Sequence, residues 1–158
     1  MNFDCYKSMK PEEQVNTPET KESIGSREMI YLPDIRKSPL LARVDTGART
    51  SALHCFSVNV EKINKKEVLC VRFMRNSRKV VRFQKFTKKR VKSSNGQIQQ
   101  RYAVKIRMQF GERSYLTTFT LTNRADMRHA ALLGRKFLRN RFVVDVSLNH
   151  LIDTPNPS

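Results

Sequence analysis

Asp45 is the residue with the clearest chemical potential, because it begins the sequence Asp45-Thr46-Gly47-Ala48 directly after an apolar run, residues 40–44. Such a run predicts a buried strand, and the residues after it predict a tight turn. Gly47 lets the backbone turn sharply, Thr46 brings a hydroxyl that can lock the loop, and Ala48 keeps the surroundings small and dry. Two such acids could hold a water between them, one taking its proton while the other donates one to a substrate carbonyl.

An Asp-Thr-Gly sequence by itself is more often a surface turn than a catalytic loop. A second segment changes that balance, namely Ala131-Leu132-Leu133-Gly134-Arg135-Lys136-Phe137-Leu138. It joins an apolar run, a glycine and a short helix-like end. We interpret Leu132 and Leu133 as apolar packing beneath the Asp45 loop, which is a structural role and not a catalytic one.

With these two segments, the sequence resembles the retropepsin-like aspartic peptidases, and within them the bacterial group labelled ATP-dependent zinc proteases. The resemblance extends over residues 30–152. Four blocks in order carry it: residues 44–54, residues 93–96 followed by Arg101-Tyr102, residues 121–124, and the stretch from Met127 to Leu132-Leu133-Gly134-Arg135.

The resemblance implies an all-β fold, a closed barrel of the six-stranded type with one or two short helices. It also implies one Asp-Thr-Gly loop per chain, so that activity requires a homodimer whose two-fold axis brings a second Asp45 to the first. Catalytic roles then fall to Asp45, Thr46 and Gly47. Substrate contacts fall to six further residues, which are Ala48, Arg49, Asn95, Gly96, Arg101 and Arg135.

The loop departs from its retroviral relatives at two positions. Those relatives commonly carry acids where Arg49 and Thr50 stand here, so Arg135 is predicted to lack its expected acidic partner. The resemblance further makes residues 93–96 the tip of a flap over the substrate. An ordinary hairpin without a gating role is an equal alternative, because the pair Asn95-Gly96 favours a tight hairpin turn on its own.

The chain is predicted to consist of an N-terminal arm and one β-rich domain. Residues 1–28 are polar and contain Pro11 and Pro18, and they offer too little apolar surface to offset the entropy of ordering, which predicts a flexible arm. Residues 29–158 hold short alternating apolar runs separated by turn residues, which predict the strands of the retropepsin-like domain. Short helices are predicted at residues 123–131 and 135–140, before a final strand at 141–146.

Charge is the strongest compositional signal in the 158 residues, with a formal net charge of +17. Residues 61–92 hold thirteen Lys or Arg against two Glu, so this segment alone attracts anions. An acidic or glutamylated peptide fits this charge, as does a functional link to an ATP-grasp glutamate ligase, beside which relatives are often encoded. The alternative function is a non-catalytic basic β-barrel that binds acidic polypeptide or nucleic acid. Nucleic acid is the less favoured ligand, because stacking needs exposed aromatic side chains, and the chain lacks Trp and has few Phe or Tyr in positions that look exposed.

Metal, cofactor and membrane functions receive little support from the sequence. The three cysteines form no Cys-x-x-Cys pair, and the three histidines have none of the usual ligand spacings, so no metal site is predicted. No glycine-rich loop suits a phosphate, so no cofactor is expected and any ATP dependence would belong to a partner. Without a spanning segment or an apolar leader, we expect a cytoplasmic protein with no membrane contact.

Overall fold

The computed structural model describes residues 20–93 and 95–155. This part of the chain is mostly β and contains twelve strands and one short helix. The strands are β1 (Glu22–Ile24), β2 (Arg27–Ile30), β3 (Leu40–Val44), β4 (Ser51–His54), β5 (Ser57–Ile63), β6 (Lys66–Arg72), β7 (Val81–Phe83), β8 (Thr87–Lys92), β9 (Ile98–Phe110), β10 (Arg113–Thr122), β11 (Ala131–Leu133) and β12 (Phe142–Val144), and the helix α1 spans Arg135–Leu138.

The central sheet has seven strands in the order β2-β3-β11-β4-β10-β9-β8. Its unusual feature is β11, which lies between β3 and β4, parallel to β3 and antiparallel to β4. The parallel register pairs Leu133 with Val44, so both strands end at the same edge of the sheet. The two segments that the sequence singles out are therefore neighbours in space, and the Asp45 loop begins where β3 ends.

Alternation along β9 shows why these residues form a half-buried strand. Val104, Ile106 and Met108 are buried, whereas Lys105 and Arg107 between them are exposed. Successive side chains of a strand point to opposite faces, so the apolar set faces the core and the cations face water. The antiparallel ladder with β10 runs along the C-terminal two thirds of β9, from Ala103 to Phe110.

The predicted closed barrel is not found in the part of the chain that the structure describes. The seven-stranded sheet has two edges, β2 and β8, and no ladder joins them. The reason is that β8 pairs only with the first part of β9, Ile98 to Ala103, and ends there. Farther along β9, a single bridge between Tyr31 and Gln109 brings the end of β2 close, with hydrogen bonds of 3.0 and 2.8 Å. The sheet therefore curls without closing.

Two smaller sheets complete the fold. Strands β5, β6 and β7 form an antiparallel sheet, and β1 pairs with β12 in parallel. Leu69 of β6 and Ile24 of β1 belong to the same buried apolar cluster as Phe119 and Leu133 of the central sheet. One core therefore connects all three sheets.

The segment 22–28, which the sequence places in the N-terminal arm, is folded in the structure. Strand β1 pairs with β12, and the side chain of Glu28 is fully buried. Its carboxylate accepts hydrogen bonds from the backbone N–H groups of Gly25 (2.6 Å), Leu151 (3.1 Å) and Ile152 (3.1 Å). The rest of the predicted arm, residues 1–19, lies outside the described residues.

The helix predicted at residues 123–131 does not form. The side chain of Asn123 accepts the N–H of Ala125 at 3.0 Å, and the N–H of Met127 donates to the carbonyl of Arg124 at 2.9 Å. An asparagine that bonds the backbone two residues ahead favours a turn over a helix. The second predicted helix is confirmed, although α1 ends at Leu138.

Candidate active site

The backbone of Asp45 is held by two neighbouring segments. Its N–H donates to the carbonyl of Leu133 at 2.9 Å, which extends the β3–β11 ladder by one bond. One residue earlier, the N–H of Val44 donates to the carbonyl of Ser26 at 2.9 Å. Asp45 is therefore the last residue of this segment whose backbone is hydrogen-bonded to the sheet, which fixes the position of its Cα and Cβ atoms.

The loop amides orient the Asp45 carboxylate. Oδ1 accepts the N–H of Gly47 at 3.0 Å and the N–H of Ala48 at 3.2 Å, and no described residue donates to Oδ2. A Cβ on residue 47 would lie 3.2 Å from this same Oδ1, which is tighter than usual. One carboxylate oxygen is thus bound by the loop, and the other is open for a water, a substrate or a second carboxylate.

Thr46 and Gly47 are exposed at the tip of the loop. The hydroxyl of Thr46 makes no hydrogen bond to another residue in the ranges 20–93 and 95–155. The locking role predicted for this hydroxyl would therefore need a neighbour beyond those residues, such as the loop of a second copy. That role stays a prediction.

The segment around Gly134 fastens the loop from behind. The N–H of Gly134 donates to the buried hydroxyl of Ser51 at 3.0 Å, and the N–H of Arg135 donates to the carbonyl of Ala48 at 2.8 Å. A Cβ on residue 134 would lie 2.6 Å from the carbonyl carbon of Thr50 and 2.8 Å from its oxygen. Only glycine fits here, because the Cβ of any other residue at position 134 would collide with the backbone of Thr50.

Arg135 contacts backbone carbonyls of the loop in place of an acidic side chain. Its guanidinium donates to the carbonyl of Thr46 at 3.1 Å and to that of Gly47 at 2.7 Å. The predicted departure at Arg49 and Thr50 therefore leaves Arg135 engaged with the loop, through acceptors that carry no charge. Because both bonds go to backbone carbonyls of the loop, Arg135 helps to fix the conformation of the loop.

A basic groove opens beside the loop. It has a volume of about 490 Å³ and is lined by Arg49, Arg135, Lys136 and Arg139. Lys89 of β8 is close by, since the pKa of Lys89 is lowered by burial first and then by the charges of Lys136 and Arg49. We call these five residues the basic groove. No acidic residue is among those that line it, so its field favours an anionic guest.

Asn95 and Gly96 lie at the tip of the β8–β9 hairpin. Gly96 has φ of +85°, which the Asn-Gly turn requires, and its N–H donates to the carbonyl of Ser93 at 2.9 Å. The hydroxyl of Ser93 is hydrogen-bonded to the side chain of Asn95. These bonds are internal to the hairpin, so the hairpin is formed as predicted, while its role as a flap stays a prediction.

Arg124 is a residue near the site to which the sequence assigned no role. Arg124 is 9% exposed, and it lies two residues after the end of β10. Burial lowers the pKa of Arg124, the charges of Arg101 and Arg43 lower it further, and the charge of Asp45 opposes them. The charge of Arg101, a predicted substrate contact, therefore affects the pKa of Arg124. The sequence held no signal for this burial, because it depends on contacts of Arg124 with His54 and His129 that only the fold creates.

The zinc label of the related group suggests a metal, and the most plausible donors do not suit one. His54 already accepts the backbone N–H of Arg124 at its Nδ1 (2.9 Å). Burial raises the pKa of the Cys55 thiol to about 11, which disfavours the thiolate that zinc needs. Within the described ranges, no three His, Cys, Asp or Glu side chains are grouped to hold a metal. The residues present therefore do not fit a zinc site.

A β-rich fold that presents an Asp-Thr-Gly loop at a strand end, fastened by an apolar strand and a glycine, defines a domain of the retropepsin-like class. Comparison with protein families agrees, since the family described as RimB-like, retropepsin-like aspartic endopeptidase RimB, matches residues 23–155. The chain belongs to the RimB-like family. This confirms the resemblance found in the sequence.

Curated relatives carry a different name. A probable alpha-L-glutamate ligase of Shewanella halifaxensis is 34% identical over 145 residues, covering 87% of this chain and 31% of the relative. A protein of the same name from Parasynechococcus marenigrum is 33% identical over 134 residues, covering 80% and 28%. The chain thus spans about a third of the length of the curated relatives it matches.

A solved structure shares the fold. Lpg0085 of Legionella pneumophila, a protein of unknown function, superposes with a TM-score of 0.67 and 22% identity, covering 82% of this chain and 97% of that one. This likeness supports the fold alone. No helix among residues 20–93 and 95–155 has the length and apolar character that crossing a membrane requires.

Proposed function

We propose that this domain is an aspartic endopeptidase that acts as a homodimer through paired Asp45 loops, on acidic or glutamylated peptides and proteins. The hydrogen bonding of the Asp45 carboxylate carries the proposal. Oδ1 is held by two loop amides, and Oδ2 has no partner among the described residues. A carboxylate that is oriented on one side and open on the other suits proton transfer to or from a water.

Pairing of two copies is proposed because a single Asp45 loop supplies only one carboxylate. Peptide hydrolysis by this route needs one carboxylate as a base and a second, protonated one as an acid. No second carboxylate is hydrogen-bonded to the Asp45 loop in the described part of the chain. A two-fold axis beside the exposed tip of the loop, Thr46 and Gly47, would supply the missing acid from the same residue of a partner.

The basic groove supports an acidic substrate. Arg49, Arg135, Lys136 and Arg139 line it, and Arg135 also contacts the carbonyls of Thr46 and Gly47. An extended acidic peptide that reaches the Asp45 loop would therefore pass a continuous surface of cations. Because guanidinium groups bind carboxylates through charge-assisted hydrogen bonds, glutamate side chains are suitable guests.

The names of the curated relatives support glutamylated substrates and a link to a glutamate ligase. Those relatives are described as probable alpha-L-glutamate ligases, and the region similar to this chain makes up about a third of each. A domain found in one polypeptide with such a ligase would meet the product of the ligase directly. We therefore propose that the peptidase hydrolyses peptide bonds in glutamate-rich segments of the kind that a ligase of this name would extend.

The proposed activity is tested by replacing Asp45 with asparagine, which removes the ionisable group with little change of shape. We expect the native protein to cleave a poly-glutamate peptide and Asp45→Asn to lose at least 1,000-fold in kcat/KM, on the order expected for removal of an essential proton-transfer group. Asp126→Asn is the matched control, because Asp126 is exposed on the turn after β10. Equal cleavage by Asp45→Asn and the native protein would disprove the proposal.

A non-catalytic binding module is the second candidate, and the exposed cations of β8 favour it. Lys88, Arg90 and Lys92 are exposed on one strand at the edge of the central sheet. Such a row suits phosphate groups as well as carboxylates. This candidate predicts no cleavage by the native protein and an affinity for single-stranded RNA or poly-glutamate that Asp45→Asn leaves unchanged.

A further inference from the structure

The pair Arg101 and Arg124 has unused capacity for binding an anion. Arg124 is buried, with an exposed fraction of 9%, and its Nε donates to the carbonyl of His129 at 3.2 Å. Its two terminal amino groups make no hydrogen bond to any residue of the described ranges. Neither terminal amino group is among the buried side-chain nitrogens without a partner in the described ranges, so both are accessible and can bind an acceptor supplied from outside the chain.

Arg101 also has an unpaired donor. It lies on β9 and is half-buried, and its Nε is buried without a hydrogen-bond partner in the described part of the chain. Its terminal amino group donates to the side chain of Gln99 at 3.0 Å, which carries no charge. Burial lowers the pKa of Arg101, so this second guanidinium also lacks the solvation of a surface arginine.

The fold places these two residues together. Strand β10 ends at Thr122, beside His54 of β4, and Arg124 follows two residues later with its N–H on His54 Nδ1 at 2.9 Å. Arg101 lies on the neighbouring strand, two residues before Ala103, which pairs with Thr120. The charge of Arg101 lowers the pKa of Arg124, which agrees with this arrangement.

We propose that Arg101 and Arg124 form a subsite for one substrate carboxylate, and that Arg124 is a specificity-determining residue. The subsite adjoins the basic groove, because Arg101 is the cross-strand partner of Lys89, one of the five residues of that groove. Two guanidinium groups can hold one carboxylate through several parallel hydrogen bonds, which gives geometric selection that a general basic field lacks. The inference rests on the proposed function for its substrate class.

The test measures binding in the Asp45→Asn background of the full chain, so that it does not depend on cleavage. The probe is a fluorescently labelled hexaglutamate, and its affinity is measured by anisotropy. Arg101→Gln removes one charge and one guanidinium, and Arg124→Lys keeps the charge but removes the fork of donors. Arg107→Gln is the matched control, because Arg107 is exposed on the same strand β9.

We expect Arg101→Gln and Arg124→Lys each to weaken binding about tenfold or more, while Arg107→Gln weakens it less than about twofold. Hexaglutamine should bind poorly to all variants. A probe with a C-terminal amide and a hexaglutamine with a free C-terminus distinguish a glutamate side chain from the terminal carboxylate as the group bound. Melting curves verify that each variant is folded. If Arg124→Lys does not fold, Arg101→Gln alone tests the subsite.

Equal losses in Arg107→Gln and Arg101→Gln would overturn the subsite, because binding would then follow net charge alone. The two proposals fail separately. If Asp45→Asn abolishes cleavage but Arg101→Gln behaves like Arg107→Gln, the peptidase stands and the subsite is wrong. If the native protein cleaves nothing but Arg101→Gln and Arg124→Lys lose binding as expected, the subsite stands and the peptidase is wrong.

Discussion

The guanidinium of Arg135 donates a hydrogen bond of 2.7 Å to the carbonyl oxygen of Gly47, 88 residues away in sequence. Together with a second bond to Thr46, it joins the start of α1 to the loop that carries the candidate catalytic acid. Both bonds come from one nitrogen, Nη1, which carries two N–H donors. Arg135 therefore belongs both to the basic groove and to the hydrogen bonds that hold the Asp45 loop.

Arg135→Lys is expected to loosen the loop. Lysine keeps the charge, but its shorter, flexible side chain does not place an ammonium where Nη1 stands, and weaker bonds to the loop should lower the free energy of unfolding by about 1 kcal/mol. Denaturant unfolding measures this. Arg139→Lys is the control, since Arg139 lines the same groove and its side chain makes no hydrogen bond to a described residue. A larger loss in Arg139→Lys than in Arg135→Lys would contradict the proposed connection.

Gly134 and Gly47 are expected to respond differently to alanine. At Gly134 the new Cβ would meet the backbone of Thr50 at 2.6 Å, so Gly134→Ala should destabilise the fold by about 1–3 kcal/mol. At Gly47 it would meet only Asp45 Oδ1, at 3.2 Å. Gly47→Ala should therefore change stability by less than about 0.5 kcal/mol. If the peptidase proposal holds, Gly47→Ala should still reduce cleavage, because the carboxylate must move. A stable Gly134→Ala variant, judged by thermal unfolding, would contradict the close backbone crossing.

Several of these features follow from local sequence, and others depend on distant partners. The Asp45 loop and the Asn95-Gly96 hairpin were predictable because strand ends and turns are encoded by adjacent residues. The helix at Arg135 was predicted for the same reason. The closed barrel was not found because closure depends on how far β8 continues along β9, which no local pattern fixes.

The burial of Arg124 and Glu28 also could not be predicted from the sequence. Both are charged residues that read as solvent-exposed in the sequence, and both are buried in the structure. Their burial depends on partners far along the chain or on the packing of neighbouring strands, such as Leu151 for Glu28 and His54 for Arg124. Alternation and composition cannot reveal such contacts.

Glu28 is expected to anchor the C-terminal segment. Its carboxylate accepts three backbone N–H groups, two of them from Leu151 and Ile152, and a glutamine would turn an N–H₂ group toward one of these donors. Glu28→Gln should lower the free energy of unfolding by about 2–3 kcal/mol and expose the segment after Asn149 to protease. Glu22→Gln serves as the control, because Glu22 is exposed and should change little. Unchanged protease resistance in Glu28→Gln would rule out this anchor.

His54 is expected to make stability fall with acidification. Burial, and then the charge of Arg124, lower the pKa of His54 in the folded protein below its ordinary value of 6.5. The unfolded chain therefore binds the proton more readily, so the contribution is complete above about pH 6.5 and is lost as the pH falls toward the folded pKa. His54→Asn keeps an acceptor for the N–H of Arg124 and should flatten this part of the pH dependence. Denaturant unfolding between pH 7.5 and 5.5 measures it, and identical slopes for both proteins would contradict the role of His54.

The central claim is that two copies of the chain each contribute one Asp45 to a shared site. Native protein is refolded together with a rising excess of Asp45→Asn, and cleavage of poly-glutamate is measured per native chain. If the site is shared, each native chain paired with a variant chain is inactive, so the activity per native chain should fall in proportion to the native fraction. The same excess of Asp126→Asn should not lower it, because Asp126→Asn keeps Asp45 and forms active dimers with native chains. Activity per native chain that does not change as Asp45→Asn is added would contradict the account.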